Sequence, residues 1–157
     1  MRSDELKKCY ALEKHPEGGW FSEVYTSEAA SDGRPLAGSI YFLLDKDDIS
    51  HFHRIDCDEL WYFHEGCGLV LTIADRDGVR RLFLGNDISK GQSAMVLIPR
   101  GCAFAAENLD PESYSFISCA TAPKFSYEGF ELLGREDMLA ICPGLDEDVL
   151  RLAFEKP

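Results

Sequence analysis

His51-Phe52-His53-Arg54-Ile55-Asp56-Cys57-Asp58-Glu59-Leu60-Trp61-Tyr62-Phe63-His64-Glu65-Gly66 is the stretch on which the reading of this chain turns. His51 and His53 stand two apart, so on a regular strand both side chains face the same side. A turn follows, and Glu59 begins the next strand. Antiparallel pairing would bring Glu59 opposite the histidines. Two imidazoles and a carboxylate on one face form the donor set that holds iron, manganese and similar divalent ions. The same alternation sends Trp61 and Phe63 inward with Glu59 and turns His64 to the opposite face.

Outward from this stretch the chain reads as short strands between turns. Trp20–Thr26, Gly38–Leu44, Ile49–Ile55, Glu59–Glu65, Gly68–Asp75, Val79–Leu84, Ala94–Ile98, Cys102–Asn108 and Ser113–Ala120 are the predicted strands. Asp77-Gly78 marks a hairpin, and Gly85-Asn86, Lys90-Gly91, Arg100-Gly101 and Asp110-Pro111 mark further turns. Many short strands at regular spacing argue for a sandwich or barrel. Leu69-Val70-Leu71-Thr72-Ile73 is apolar on both alternations, which calls for two packed sheets or a covering partner. Ser3–Leu12 and Leu145–Phe154 have helical spacing and read as short terminal helices around an all-β body. No repeat, linker or low-complexity tract interrupts residues 1–157, which read as one domain.

The composition excludes several classes. The 157 residues carry a net charge of -12, a surface that repels phosphate backbones, so nucleic acid is not an expected partner. No apolar run approaches the roughly 18 residues that would cross a bilayer, and the first residues lack the apolar core of a signal peptide. A cytoplasmic protein without membrane contact is expected. Its six cysteines include no Cys-x-x-Cys pair and read as reduced thiols. Cys57 and Cys67, which flank the candidate site, are the two to watch for reactivity.

The quoted stretch resembles the first motif of the cupin superfamily, in which a His-x-His pair precedes a Glu and, after six residues, a Gly. His51, His53, Glu59 and Gly66 match it, with a slightly long gap before Glu59. Gly91, Pro99, Gly101, Phe104 and Asn108 resemble the second motif, with Phe104 standing where that motif supplies a histidine ligand. A narrower resemblance, to a small cupin subfamily of unknown function, covers nearly the whole chain. It rests on His15-Pro16-Glu17-Gly18-Gly19-Trp20, Ser50 to Arg54, Asp58 to Trp61, Ser118 to Pro123 and Phe125 to Phe130. The resemblance implies a double-stranded β-helix, or jelly-roll barrel, that forms a homodimer and has no settled activity. In that subfamily the more typical histidine is the one matching His53, and an aromatic or apolar residue commonly stands where Phe104 does.

These residues define the expected site. His53 and Glu59 would bind a small molecule and act as general base and acid; a structural His–Glu pair is the competing reading. Trp61, Phe63 and Phe104 form either an aromatic wall for the ligand or plain core filling. Arg54 would clamp an anion or pair with Asp56 or Asp58. Glu17 and Glu23 lie where the N-terminal strand would cross the pocket mouth, unless HPEGG is only a shaped loop. A metal held by His51, His53 and Glu59 is possible but disfavoured, because Phe104 removes a ligand; no cofactor is expected. Three functions remain open: a metal-independent isomerase- or epimerase-like enzyme acting on a sugar-like or small acidic metabolite, a metal-dependent cupin enzyme, and a non-catalytic binder or sensor.

Overall fold

The computed structural model describes residues 1–156. Helix α1 (Arg2–Cys9) precedes β1 (Glu13–Lys14), β2 (Trp20–Thr26), a two-strand ribbon of β3 (Ala30–Ser31) and β4 (Arg34–Pro35), and β5 (Gly38–Leu44). Then come β6 (Ile49–Ile55), β7 (Asp58–Gly66), β8 (Leu69–Asp75), β9 (Gly78–Leu84), β10 (Met95–Ile98), β11 (Ala103–Asn108), β12 (Ser115–Ala122) and β13 (Phe130–Leu132). Helices α2 (Arg135–Ile141) and α3 (Glu147–Leu150) follow. One sheet runs β1-β2-β5-β12-β7-β10 and the other β13-β6-β11-β8-β9, with antiparallel neighbours in both. This is the expected jelly-roll barrel with short terminal helices.

The apolar residues on both strand faces are explained by two kinds of cover. Phe42 and Leu44 of β5 and Leu69, Leu71 and Ile73 of β8 point between the sheets into one cluster. Leu43, between the two inward residues of β5, packs outside the barrel with Leu6 and Leu12 beside α1. On the other sheet Phe52, Ala74 and Ala105 pack outward against Leu133, Met138, Val149, Leu150 and Leu152. Each such fully buried leucine is worth about 1.5–3 kcal/mol, so the terminal helices replace the partner that the exposed outer faces would otherwise need.

Three local expectations are corrected. The expected N-terminal helix ends at Cys9 rather than Leu12. The C-terminal helix is a single turn over Glu147–Leu150, capped where the Asp146 side chain accepts from the Val149 amide, and α2 ahead of it was not foreseen. Finally, β6 is not a regular strand. Phe104 of β11 pairs with His53 and Ala106 pairs with Ser50, so three steps on β6 oppose two on β11. This is a β-bulge, in which the extra residue breaks the alternation. Ser50 and His53 therefore share the inner side, and Phe52 turns outward. The His51 ring lies toward Phe154, with centroids 6.1 Å apart.

No helix among the described residues is long and apolar enough to cross a membrane.

Candidate functional site

A cavity of about 340 Å³ opens between the sheets, with His53, Glu59 and Trp61 in its lining. Each of the three is placed by a strand. His53 comes from the bulged β6, and Glu59 and Trp61 come from alternate positions of β7. Glu59 is flanked by Ile98 of β10 and Thr121 of β12, and Trp61 by Cys119 of β12. His53 is 2% exposed, Glu59 8% and Trp61 1%.

The residue that completes the site is Glu17, from the His15–Gly19 loop. The loop closes on itself, with the Gly18 amide donating to the His15 carbonyl and the His15 amide to the Gly19 carbonyl, both at 3.0 Å. It is fastened to the bulge by the His51 amide, which donates to the Glu17 carbonyl at 2.8 Å. Gly18 sits at φ +107, and a Cβ there would overlap the Ile49 carbonyl oxygen. Only glycine lets the loop lie this flat on β6. Its Glu17 side chain drops into the barrel, where Ser50 Oγ donates to Oε1 at 2.7 Å and His53 Nε2 lies 3.1 Å from Oε2.

The proton inventory follows from these contacts. His53 Nδ1 is 2.7 Å from the His51 carbonyl, which can only accept, so Nδ1 carries a hydrogen. Nε2 and Glu17 Oε2 then share one proton. Burial pushes His53 down and Glu17 up, so both groups favour the neutral pair with the proton on Glu17. His15 accepts from the Glu17 amide at Nδ1, 3.2 Å away, and is also pushed down by burial. Burial raises Glu59 to about 7. Glu59 makes no ion pair with any Lys or Arg among the described residues.

Aromatic rings complete the lining. Phe21 meets His15 edge-on at 4.7 Å, and Phe42 meets Trp61 edge-on at 5.7 Å. Phe125 and Tyr127, from the segment after β12, join the lining. That segment is fastened by Arg34, which donates to the Lys124 carbonyl, and by Lys124, which donates to Glu23 and Thr26 at 2.8 Å each. Trp61 Nε1 is buried and has no hydrogen-bond partner.

Other expected site residues lie elsewhere. Glu23 is at the cavity rim, paired with Lys124. Phe104 stands behind the site rather than in its lining, with its ring 4.3 Å from that of His53 and 5.9 Å from that of Trp61. Phe63 points inward but packs deeper, against the core. Arg54 pairs with Glu131 at 2.7 Å rather than with Asp56 or Asp58, and it is not part of the cavity lining. Cys57 is buried and burial raises its thiol to about 12, which makes it unreactive. The cysteine that lines the cavity is Cys119, also raised by burial. His15, Cys119, Phe125 and Tyr127 were not singled out from the sequence as site residues; the His15–Trp20, Ser118–Pro123 and Phe125–Phe130 motifs marked only their segments.

A divalent ion does not fit this donor set. The bulge turns His51 away from His53 and Glu59, Phe104 covers one side of the His53 ring, and His53 Nε2 is engaged by Glu17. Among the described residues no three His, Cys, Asp or Glu side chains converge as ligands.

A cupin barrel with a buried pocket of paired acids and histidines is the class that fold and site define. The chain belongs to the cupin superfamily family described as Cupin superfamily (DUF985), whose model matches residues 4–133. A Shewanella oneidensis protein of known crystal structure is similar at 36% identity and a TM-score of 0.91, covering 98% of each chain. A hypothetical protein from Leishmania major is similar at 28% identity and a TM-score of 0.88, covering 98% of this chain and 99% of the other. An oxalate decarboxylase variant from Bacillus subtilis shares the fold at 21% identity and a TM-score of 0.55, covering 81% of this chain and 33% of that one. No protein of curated function matches the chain.

Proposed function

We propose that this protein is a metal-independent enzyme of the isomerase or epimerase kind, which moves a proton on a small polar metabolite held in the cavity. One observation carries the reading: Glu59, raised to about 7, lines the same water-poor cavity as the neutral Glu17–His53 pair. A carboxyl that titrates near neutral pH serves as acid and base alike. Glu59 takes or returns a proton from the β7 side of the cavity. On the other side Glu17 passes the proton it shares with His53 Nε2, whose Nδ1–H is fixed by the His51 carbonyl. Phe125 and Tyr127 add aromatic surface to the cavity that would hold the metabolite.

The test is a metabolite panel incubated with the protein in deuterated water and followed by NMR. Solvent deuterium is expected to enter a carbon-bound position of the substrate, about 100-fold more slowly in Glu59→Gln. A ligand that binds but neither exchanges nor reacts would make the protein a binder instead.

We also propose a homodimer. Met95 and Leu97 on the edge strand β10 and Tyr62 beside them on β7 share the outer face, 45%, 46% and 38% exposed. An apolar patch along a sheet edge is a ready association surface. Light scattering at micromolar concentration is expected to give twice the chain mass of 17.6 kDa, and a monomer after Leu97→Glu. A monomeric wild type would refute the dimer.

A further inference from the structure

We infer that the cavity selects a small organic cation, a protonated amine that also carries a hydroxyl or carbonyl oxygen. The inference rests on the reading of the cavity as a ligand site and names what it takes.

The charge inventory is one-sided. Glu13, Glu17, Glu23 and Glu59 all line the cavity, and Lys124 is its one Lys or Arg. Lys124 is already tied to Glu23 at the rim. The two histidines that line it are held neutral by burial. Glu17 is satisfied by Ser50 and His53. Glu59 is left as a buried carboxyl with no counter-charge among the described residues. Taking an unpaired charge out of water is costly, so Glu59 waits either protonated or for a cation. An anionic ligand would find no free Lys or Arg here to pair with.

The walls fit the same ligand. Phe21, Trp61, Phe125 and Tyr127 present aromatic rings to the cavity, and ring faces attract an ammonium group, more strongly when water is excluded. The rest of the protein agrees, because a net charge of -12 draws cations toward it.

Trp61 supplies an independent observation. Trp61 is 1% exposed, and its Nε1–H makes no well-aligned hydrogen bond although it lies beside the Glu59 carboxyl on the cavity wall. Indole nitrogen only donates, and a buried donor without a partner costs roughly 1–3 kcal/mol. A ligand oxygen would satisfy it. The pair of demands, a positive nitrogen for Glu59 and an acceptor for Trp61, defines an amino alcohol, an amino sugar or a similar hydroxylated or carbonyl-bearing amine.

Calorimetric titration with matched probes tests this. Ethanolamine is compared with ethylene glycol and glycolate, and glucosamine with glucose and glucuronate. At least one amine is expected to bind about tenfold more tightly than both its neutral and its acidic counterparts. At about pH 6, where Glu59 is mostly protonated, amine binding is expected to release about one proton, read from the dependence of heat on buffer ionisation. At about pH 8 that release disappears and ethanolamine, still protonated there, binds more tightly. Glu59→Gln, which copies the neutral carboxyl, is expected to lose both the tenfold preference and the released proton. Three results overturn the inference: neutral or acidic probes binding as well as the amines, amine binding without proton release at about pH 6, or no amine binding up to about 10 mM. Turnover of a neutral substrate with no amine preference would leave the proton-transfer reading standing and this one refuted. Amine binding without turnover would do the reverse.

Discussion

Replacing Gly18 with alanine is expected to destabilise the protein by about 2–4 kcal/mol, the sum of a strained φ and an overpacked contact, and to pull Glu17 out of the cavity. At φ +107 an L side chain is strained even in open space. Here the added Cβ also meets backbone, the Ile49 carbonyl oxygen, which cannot rotate aside as a side chain can. The loop must lift from β6, breaking the bond from the His51 amide to the Glu17 carbonyl. Glu17 then moves away from His53 and Ser50, and water reaches Glu59, relieving the burial that raises it. Urea unfolding measures the stability, and NMR titration of the Glu59 carboxyl is expected to show its pKa falling from about 7 toward 4.5. Gly33 is the control: it also has a positive φ, +78, but open space around it, so Gly33→Ala should cost only the strain, about 1 kcal/mol. Wild-type stability in Gly18→Ala would refute the account of the loop.

The second large effect has the opposite sign. Glu59→Gln is expected to stabilise the protein by about 3 kcal/mol at about pH 8 and by almost nothing at about pH 4. Glu59 is raised from 4.5 to about 7 on folding. The folded state thus holds the proton more tightly than the unfolded chain. That contribution is fully present below 4.5 and is lost as pH rises through 7. Each pH unit across that window is worth about 1.4 kcal/mol. His15 and His53 work the other way, because burial lowers both; their contribution is present at high pH and lost as pH falls below the free value of 6.5. Wild-type stability alone mixes these trends, whereas the difference between wild type and Glu59→Gln isolates Glu59. Chemical denaturation across this range provides it. A difference that does not change with pH would show that Glu59 is not held protonated. A site residue that weakens the fold in this way is a common cost of function.

Together the two substitutions describe one arrangement. The glycine loop spends conformational strain to seat Glu17 against His53 and to close the cavity in which burial raises Glu59. The carboxyl so raised is the group proposed both to exchange protons and to attract a cation.

The sequence by itself determined the strands and half of the site. Gly38–Leu44 and Ile49–Ile55 are strands with the bounds the alternation predicts, because alternation and turn residues are local properties of the chain. His53, Glu59 and Trp61 do share one cavity, because Glu59 and Trp61 lie two apart on a regular stretch of β7. The tertiary structure decided the rest. Whether His51 joins His53 depends on the register of β6 against β11, and one extra residue there reverses the answer. Position in the chain does not reveal such a bulge, since it is set by a partner strand far away in sequence. Glu17 was legible as a residue of the pocket mouth or of a shaped loop, but its pairing with His53 depends on that loop lying on the bulge. Cys119 and Tyr127 reach the cavity from strands and segments that only the folded sheets bring near it. Phe104 was legible as a missing ligand, but its place behind His53 was not. Periodicity says which way a side chain points from its own strand; what it meets there is fixed by elements distant in sequence.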